Sequence, residues 1–175
     1  KQLAHVAHTI AALITQMHSR REAGQLPRVV LVGLPNAGKS SLLNALAGEN
    51  AAIVSEIAGT TRDFVTRRAK FGDCECLITD TAGLTADTTQ VGVDAAAQFA
   101  TRDQTRQADL VLLCIDASQP LLDAHRKELE ESLPNARLIV RTKCDLAPAI
   151  HPVLGANAIS TSSLTGLGIA ELRTT

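Results

Sequence analysis

The chain has 175 residues, enough for one domain with a full hydrophobic core but not for two of ordinary size. Charged residues make up 20% of it and the formal net charge is −1, so no overall basic field marks it as a binder of nucleic acid or membranes. Aromatic residues are only 2% of the chain, with neither Trp nor Tyr. The core must therefore be aliphatic, and stacking platforms for bases are nearly absent.

The cysteines give no sign of a metal site or a disulfide framework. None stands in a C-x-x-C pair, and Cys74 and Cys76, two apart on one strand face, supply only half of a zinc site. We therefore expect reduced, mostly buried thiols and a cytoplasmic location. No apolar run approaches the ~18 residues of a membrane span, and no secretory signal is visible. Because the chain opens on Lys1 instead of Met, we expect an excised domain or trimmed ends.

Residues 1–23 carry apolar side chains at spacings of three and four, the pattern of an amphipathic helix. The histidines in this segment lack cysteine or carboxylate partners at ligand spacing, which favours ordinary helix residues over a metal role. Residues 24–27 break the helix. We therefore divide the chain into a helix over residues 1–24 and a domain over residues 25–175.

The first strong motif is a phosphate loop. Val29–Val32 is a continuous apolar run that predicts a buried strand of a parallel sheet, and residues 33–40 satisfy the pattern G-x-x-x-x-G-K-[ST]. Residues 40–47 favour a helix, so strand, loop and helix aim backbone N–H groups at one point where a phosphate would sit. Lys39 would contact the β and γ phosphates, and the Ser40 hydroxyl would bind Mg²⁺. A glycine turn before an ordinary helix is the alternative.

The next polar segment, GTTRD at residues 59–63, lies between apolar stretches and suits a mobile loop. A Thr hydroxyl in it could close over Mg²⁺ and the γ-phosphate, ordering the loop only in the triphosphate state. A plain surface loop would have the same composition.

A hairpin with its turn at Gly72 and Asp73 is predicted from strands over residues 64–71 and 75–79. Its second strand ends in DTAG at residues 80–83. The carboxyl end of such a strand is where open α/β sheets bind ligands, and Asp80 there can hold Mg²⁺ through water. Gly83 lets the backbone approach the γ-phosphate and swing when that phosphate leaves.

Alternating helices and strands fill the rest of the chain. The pattern predicts helices over residues 91–107, 121–132 and 168–172, and strands over residues 110–115, 137–140 and 156–159. Asp116 and Ser118 stand at the exit of the strand 110–115. The helix 121–132 is a mix of acidic and basic residues, typical of a solvated surface.

The strand 137–140 leads into TKCD at residues 142–145. Asp145 can accept two hydrogen bonds from guanine N1–H and its 2-amino group, which adenine cannot offer, while the Lys143 alkyl stem lies over the base. A plain turn is the alternative. The polar loop SSLTG at residues 162–166 could present backbone N–H groups to guanine O6.

These motifs, in this order, resemble the translation-factor-related bacterial GTPases and, within them, the G domains of the MnmE (TrmE) family of tRNA-modification GTPases. The stretches that carry the resemblance are PNAGKSSLLNALAG at residues 35–48 and AAIVSEIAGTTRD at residues 51–63. It covers residues 26–172 and implies an α/β, Ras-like P-loop GTPase fold with a mostly parallel six-stranded sheet and helices on both faces. Residues 1–23 then resemble a helix of the neighbouring helical domain.

The resemblance also implies the site residues. It makes Asn36 a K⁺ ligand and the backbone around Ser55, Ile57 and Thr60 the loop that caps this ion, which would stabilise charge between the β and γ phosphates. The implied Mg²⁺ residues are Ser40, Thr61 and Asp80. The implied catalytic residues are Lys39, Thr61 and Gly83. The implied nucleotide-binding residues are Asn36, Ala37, Gly38, Lys39, Ser40, Ser41, Thr142, Lys143, Asp145, Ser162, Ser163 and Leu164.

Family membership would imply Mg²⁺-dependent and K⁺-assisted GTP hydrolysis. Members of that family dimerise through their G domains when GTP and K⁺ are bound. With a second protein, acting through other domains, they modify the wobble uridine of certain tRNAs, and they need no membrane. A ribosome-assembly GTPase of the Era or Der type is the alternative, because these proteins share the phosphate loop and DTAG.

The chain departs from the family pattern in three places. Thr142 stands where Asn is usual, which removes one amide but leaves Asp145 to read the base, and Ser163 stands where Ala is usual. The segment between residues 83 and 92 is shorter than usual and has no counterpart of the family's water-orienting glutamate. The nearby candidates, none in register, are Asp87, Gln90 and Asp94. We therefore expect a slow GTPase.

Overall fold

The computed structural model describes residues 25–48, 65–81, 101–130, 136–146 and 158–174. In chain order the elements are β1 (Arg28–Val32), α1 (Lys39–Ala47), β2 (Val65–Phe71), β3 (Cys74–Asp80), α2 (described over 101–107), β4 (Leu110–Asp116), α3 (Asp123–Glu130), β5 (Ala136–Thr142), β6 (Ala158–Ser160) and α4 (Ile169–Thr174). Predicted bounds that fall on described residues agree with these to within two residues. The predicted N-terminal helix and the GTTRD loop lie outside the described residues.

The described strands form one six-stranded sheet in the order β2-β3-β1-β4-β5-β6. β2 is antiparallel to β3 and all other neighbours pair in parallel, so the predicted architecture is confirmed. Because parallel strands end at the same edge, the loops after β1, β3, β4, β5 and β6 converge there. We call this edge the carboxyl edge of the sheet.

Helices cover both faces of the sheet, as predicted. On one face, Leu42, Leu43 and Leu46 of α1 and Leu172 of α4 pack on the sheet. On the other face, smaller clusters around Val111 and Ile115 adjoin α2 and α3. The largest fully buried side chains are all Leu, Ile or Val, which confirms the aliphatic core.

One side chain of α3 departs from the predicted solvated surface. His125 is buried, and its Nδ1 accepts a hydrogen bond from the Leu122 N–H at 3.0 Å. A side chain in the first turn that reaches back to the residue before the helix satisfies a donor that has no partner within the helix. This bond fixes the start of α3 at Asp123, two residues later than predicted.

All four cysteines are free thiols. Cys76 and Cys114 are buried, and burial raises the pKa of each thiol to about 12, so both are inert at neutral pH. Cys74 and Cys144 are half-buried, so the expectation of mostly buried thiols holds for two of the four. The described residues include no helix with the length and apolar character needed to cross a membrane.

The end of α1 is capped from two directions. Gly48, its C-cap, has φ 77° and donates its N–H to the Asn44 carbonyl at 3.1 Å. Arg173 of α4 donates Nη2 hydrogen bonds to the carbonyls of Ala45 and Leu46, at 2.9 and 3.1 Å. A cation at a helix C-terminus meets the negative end of the helix dipole. The Arg173 carbonyl in turn accepts the Gly72 N–H at 2.7 Å, which joins α1, α4 and the hairpin turn.

We predict that Arg173→Met, which keeps the stem but removes the donors, lowers the free energy of unfolding by about 1–2 kcal/mol, because two helix carbonyls lose a charged partner. Urea unfolding followed by circular dichroism measures the change. The matched control is Arg102→Met on α2, where the arginine is exposed and the expected change is within ~0.5 kcal/mol. Equal losses in both variants would contradict the capping role.

Gly33, at the exit of β1, is held against β4 by backbone contact. It has φ +138°, and a Cβ there would lie 2.3 Å from the carbonyl oxygen of Cys114.

We predict that Gly33→Ala costs more than about 3 kcal/mol of stability, because the clash is with backbone in a packed sheet. Gly72→Ala is the control, since Gly72 also has a positive φ, +54°, but has nothing within 4 Å of the added Cβ. That variant is expected to lose about 1 kcal/mol from backbone strain alone. Thermal unfolding compares the two, and similar losses would refute the clash.

Candidate functional site

Five of the sequence motifs end at the carboxyl edge of the sheet. They are the phosphate loop after β1, Asp80 after β3, Asp116 after β4, TKCD after β5 and the SSLTG loop after β6. The remaining predicted site residues lie outside the described residues: Ser55, Ile57, Thr60, Thr61 and Gly83, with the water-orienting candidates Asp87, Gln90 and Asp94.

The phosphate loop and α1 form a ready anion site. Gly38, the N-cap of α1, has a left-handed conformation, φ 80°, and the described residues make no side-chain cap bond there. Free N–H groups at a helix N-terminus attract phosphate oxygens. Asn36 is exposed in the same loop and also has a positive φ, 63°, which is uncommon for a residue other than glycine.

Lys39 folds over its own loop. Its Nζ donates hydrogen bonds to the carbonyls of Gly33 and Leu34, at 2.8 and 2.7 Å, and the side chain is buried. Burial lowers the pKa of Lys39 from its ordinary value, and the negative charge of Asp80 opposes this. An ammonium group has three donors, so a phosphate oxygen can be bound while both carbonyl contacts remain.

Ser40 and Asp80 lie side by side, as a magnesium site requires. The Ser40 hydroxyl donates to Asp80 Oδ2, and Asp80 is buried while Ser40 faces solvent. The chain after Asp80 is fixed to β1, because the Thr81 hydroxyl donates to the Leu31 carbonyl at 2.8 Å. Hydroxyl and carboxylate oxygens are ligands that Mg²⁺ prefers, with substrate phosphates and waters completing its shell, so these residues fit the ion.

Asp145 and the SSLTG loop are tied together. Ser162 is fully buried and donates its hydroxyl to Asp145 Oδ1 at 2.5 Å, while the same hydroxyl oxygen accepts the Thr165 N–H at 3.1 Å. Asp145 itself is exposed. The buried Ser162 hydroxyl thus holds one carboxylate oxygen, while the Asp145 side chain remains open to solvent, where a base could contact it.

Thr142 links this half of the site to the phosphate loop. Its hydroxyl donates to the carbonyl of Ala37 at 2.7 Å and lies 3.3 Å from that of Ile115. The sequence suggested only that Thr in place of Asn removes an amide. The structure shows that the hydroxyl makes a buried bond between the two loops.

Asp116 is the residue that the sequence analysis noted without giving it a role. Its Oδ2 accepts a bond from Lys143 Nζ at 2.7 Å, and its Oδ1 accepts the Ser118 N–H and hydroxyl at 2.9 and 2.6 Å. Burial alone would raise the pKa of Asp116, but these bonds outweigh it and hold the pKa below its ordinary value. The available signal was position, because Asp116 ends β4 opposite Thr142, next to Lys143.

Three predicted nucleotide-binding residues make no side-chain hydrogen bond to another described residue of the site. Ser41 and Leu164 are exposed, Leu164 to 85%, and Ser163 is half-buried. Their contacts with a nucleotide therefore stay predictions.

Sequence relatives point to one kind of protein. The tRNA modification GTPase MnmE of Xanthomonas campestris pv. campestris (strain B100) is 40% identical over 172 residues, which cover 93% of this chain and 37% of that protein. The protein of the same name from Thermus thermophilus is 40% identical over 177 residues, covering 99% of this chain and 38% of that protein. The chain therefore spans less than two fifths of the length of these curated relatives.

Solved structures agree on the fold. Aquifex aeolicus Era bound to GDP·AlF4⁻ matches with a TM-score of 0.65 and 25% identity, over 84% of this chain and 54% of that one. The G domain of the T. maritima FeoB iron transporter matches with a TM-score of 0.63 and 26% identity, over 85% of this chain and 95% of that one. The chain thus has the Ras-like P-loop GTPase fold. Residues 28–143 match the family described as 50S ribosome-binding GTPase, and the chain belongs to this GTPase family.

Proposed function

We propose that this chain is the G domain of a cytoplasmic tRNA wobble-uridine modification enzyme, where it binds GTP with Mg²⁺ and hydrolyses it with the help of K⁺. The observation that carries the proposal is the meeting of phosphate, magnesium and base-reading groups at one sheet edge, joined by the bond from Thr142 to Ala37. The 40% identity to proteins named tRNA modification GTPase MnmE supports the biological context.

Guanine selectivity follows from Asp145. A carboxylate held by Ser162 can accept bonds from guanine N1–H and its 2-amino group, whereas adenine presents an acceptor at N1. Because Ser162 is buried and also bonded to Thr165, the orientation of the carboxylate is fixed before the base arrives.

At the phosphate end, hydrolysis is an in-line attack of water on the γ-phosphorus with cleavage of its bond to the β–γ bridging oxygen. Lys39 and the N–H groups of α1 would hold the β and γ phosphates, and Ser40 and Asp80 would hold Mg²⁺, which would neutralise negative charge on the phosphates. In this proposal Thr61 and Gly83 close over the γ-phosphate. With no glutamate in register to orient the water, turnover is expected to be slow.

The potassium role rests on Asn36. Its amide lies on an exposed loop that leads into α1, and a side-chain carbonyl oxygen is a ligand suited to a hard cation. Ser55, Ile57 and Thr60 would complete the shell. The same surface is our proposed G-domain dimer contact in the GTP state, with tRNA and a second modification protein bound through other domains.

We predict that Asp145→Asn lowers the preference for GTP and raises that for xanthosine triphosphate, because an amide N–H can donate to the xanthine O2. The expected loss of GTP affinity is at least about tenfold. Competition binding with the two nucleotides measures the change. Asp123→Asn, in an exposed position on α3, is the control and should leave selectivity unchanged. If Asp145→Asn keeps the wild-type preference for GTP over xanthosine triphosphate, Asp145 does not read the base.

We also predict that hydrolysis is faster in KCl than in NaCl at equal ionic strength, since Na⁺ is too small for a site built for K⁺. Asn36→Ala should remove this difference, whereas Asn44→Ala, which is exposed on α1, should retain it. Phosphate release measured in both salts is the assay. Equal wild-type rates, together with a harmless Asn36→Ala, would count against the potassium mechanism.

A ribosome-associated GTPase of the Era or Der type is the second candidate. The observation in its favour is the likeness to Era, which includes Era in complex with MgGDPNP and a segment of 16S ribosomal RNA, at 26% identity and a TM-score of 0.62. The coding sequence on both sides of this segment decides between the two. A following KH-type segment favours the ribosome, and a returning helical domain favours tRNA modification.

A further inference from the structure

We propose that Asp116, itself held by Ser118, is a positioning residue that fixes the Lys143 side chain as a rigid shelf under the guanine nucleotide. This inference rests on the proposed function, because it assumes that the loop after β5 binds the base. It assigns a role to an ion pair at the carboxyl edge that joins two of the converging loops.

The first observation is the path of the Lys143 side chain. Lys143 has a left-handed backbone, φ 57°, uncommon for a residue other than glycine. From there the stem passes close to the phosphate loop, since a Cβ on Gly38 would lie 3.8 Å from Lys143 Cε. The Lys143 stem therefore runs from the loop after β5 past Gly38 of the phosphate loop. The whole side chain keeps 35% of its surface exposed.

The second observation is how firmly the far end of that stem is held. The Asp116 carboxylate is only 13% exposed and meets the ammonium of Lys143 at 2.7 Å. Its other oxygen is held by the N–H and hydroxyl of Ser118. The neighbouring Ala117 N–H donates to the Thr142 carbonyl at 2.9 Å, so the backbone around both partners is tied as well.

Together these contacts remove the freedom of a side chain that is otherwise among the most flexible. A lysine stem has several rotatable bonds, and ordering it on ligand binding would cost part of the binding free energy. Here the ion pair orders the stem beforehand, while Asp145, the carboxylate in the same loop as Lys143, is engaged by Ser162 instead. Asp116 thus acts on the nucleotide through Lys143, without touching it, and its effect falls on nucleotide affinity and residence time.

The test is the dissociation constant and dissociation rate of a fluorescent GDP analogue. Asp116→Ala should raise both by about tenfold, because the ammonium loses its charged partner. Asp116→Asn, which keeps the shape and an acceptor, should recover part of the loss, and Ser118→Ala should give a smaller effect of about threefold. For GTP hydrolysis, KM should rise by a larger factor than kcat falls. Asp73→Asn is the matched control, since its pair with Lys70 is exposed, spans 3.8 Å and lies in the hairpin turn at the opposite edge.

A double-mutant cycle separates positioning from a merely structural role. Lys143→Met keeps an apolar stem without the ammonium, and in that background Asp116→Asn should change GDP-analogue affinity by less than about twofold. An equal effect of Asp116→Asn with and without the Lys143 ammonium overturns the inference. Should Asp116→Ala fail to fold by circular dichroism, Asp116→Asn and Ser118→Ala decide the question.

The two possible failures are distinguishable. A wild-type protein that does not bind the GDP analogue overturns the proposed function and this inference with it. A wild-type protein that binds GDP with guanine selectivity, while Asp116→Asn and Ser118→Ala bind it equally tightly, overturns the positioning role alone.

Discussion

The hydrogen bond from the Thr142 hydroxyl to the Ala37 carbonyl is the constraint on which the site depends. It fixes the distance between the phosphate loop and the TKCD loop, which we propose reads the base, and both of its residues are buried. Lys143 is the next residue after Thr142 and Asp145 stands three positions after it, so this bond constrains where both lie relative to the phosphate loop. A nucleotide that spanned the two loops would therefore meet a fixed distance between them, and these two loops would need little ordering on binding.

The sequence predicted the features that depend only on neighbouring residues in the chain. The phosphate loop, the Gly72 hairpin and the buried strands are each written in a few consecutive residues, and the structure confirms them. Partnerships between distant residues could not be predicted, because they depend on strand order: Thr142 and Ala37 are 105 positions apart, and Lys143 and Asp116 are 27 apart. His125 was missed for another reason, since a helix of charged residues gives no sign that one side chain turns back to cap it.

Two arginines and a lysine of this fold donate hydrogen bonds to backbone carbonyls at the ends of helices and strands. Arg137 of β5 donates to the carbonyls of Glu128 and Leu129 at the end of α3, as Arg173 does for α1. Lys39 does the same for the phosphate loop. A chain with so few aromatic residues thus supplements its aliphatic core with charge-assisted bonds that fix where helices and loops end.

The contacts that cap the end of α1 also allow this helix to act as a rigid rod. Its first turn lies at the phosphate loop and its last carbonyls are clamped by Arg173, so a rod of nine residues, about 13 Å long, connects the two edges of the sheet. A rigid rod turns a small rotation at one end into a displacement at the other, and a tilt of ~10° would move the clamped end by ~2 Å. Arg173 and the hairpin turn bonded to it are in direct contact with that end and would receive the displacement.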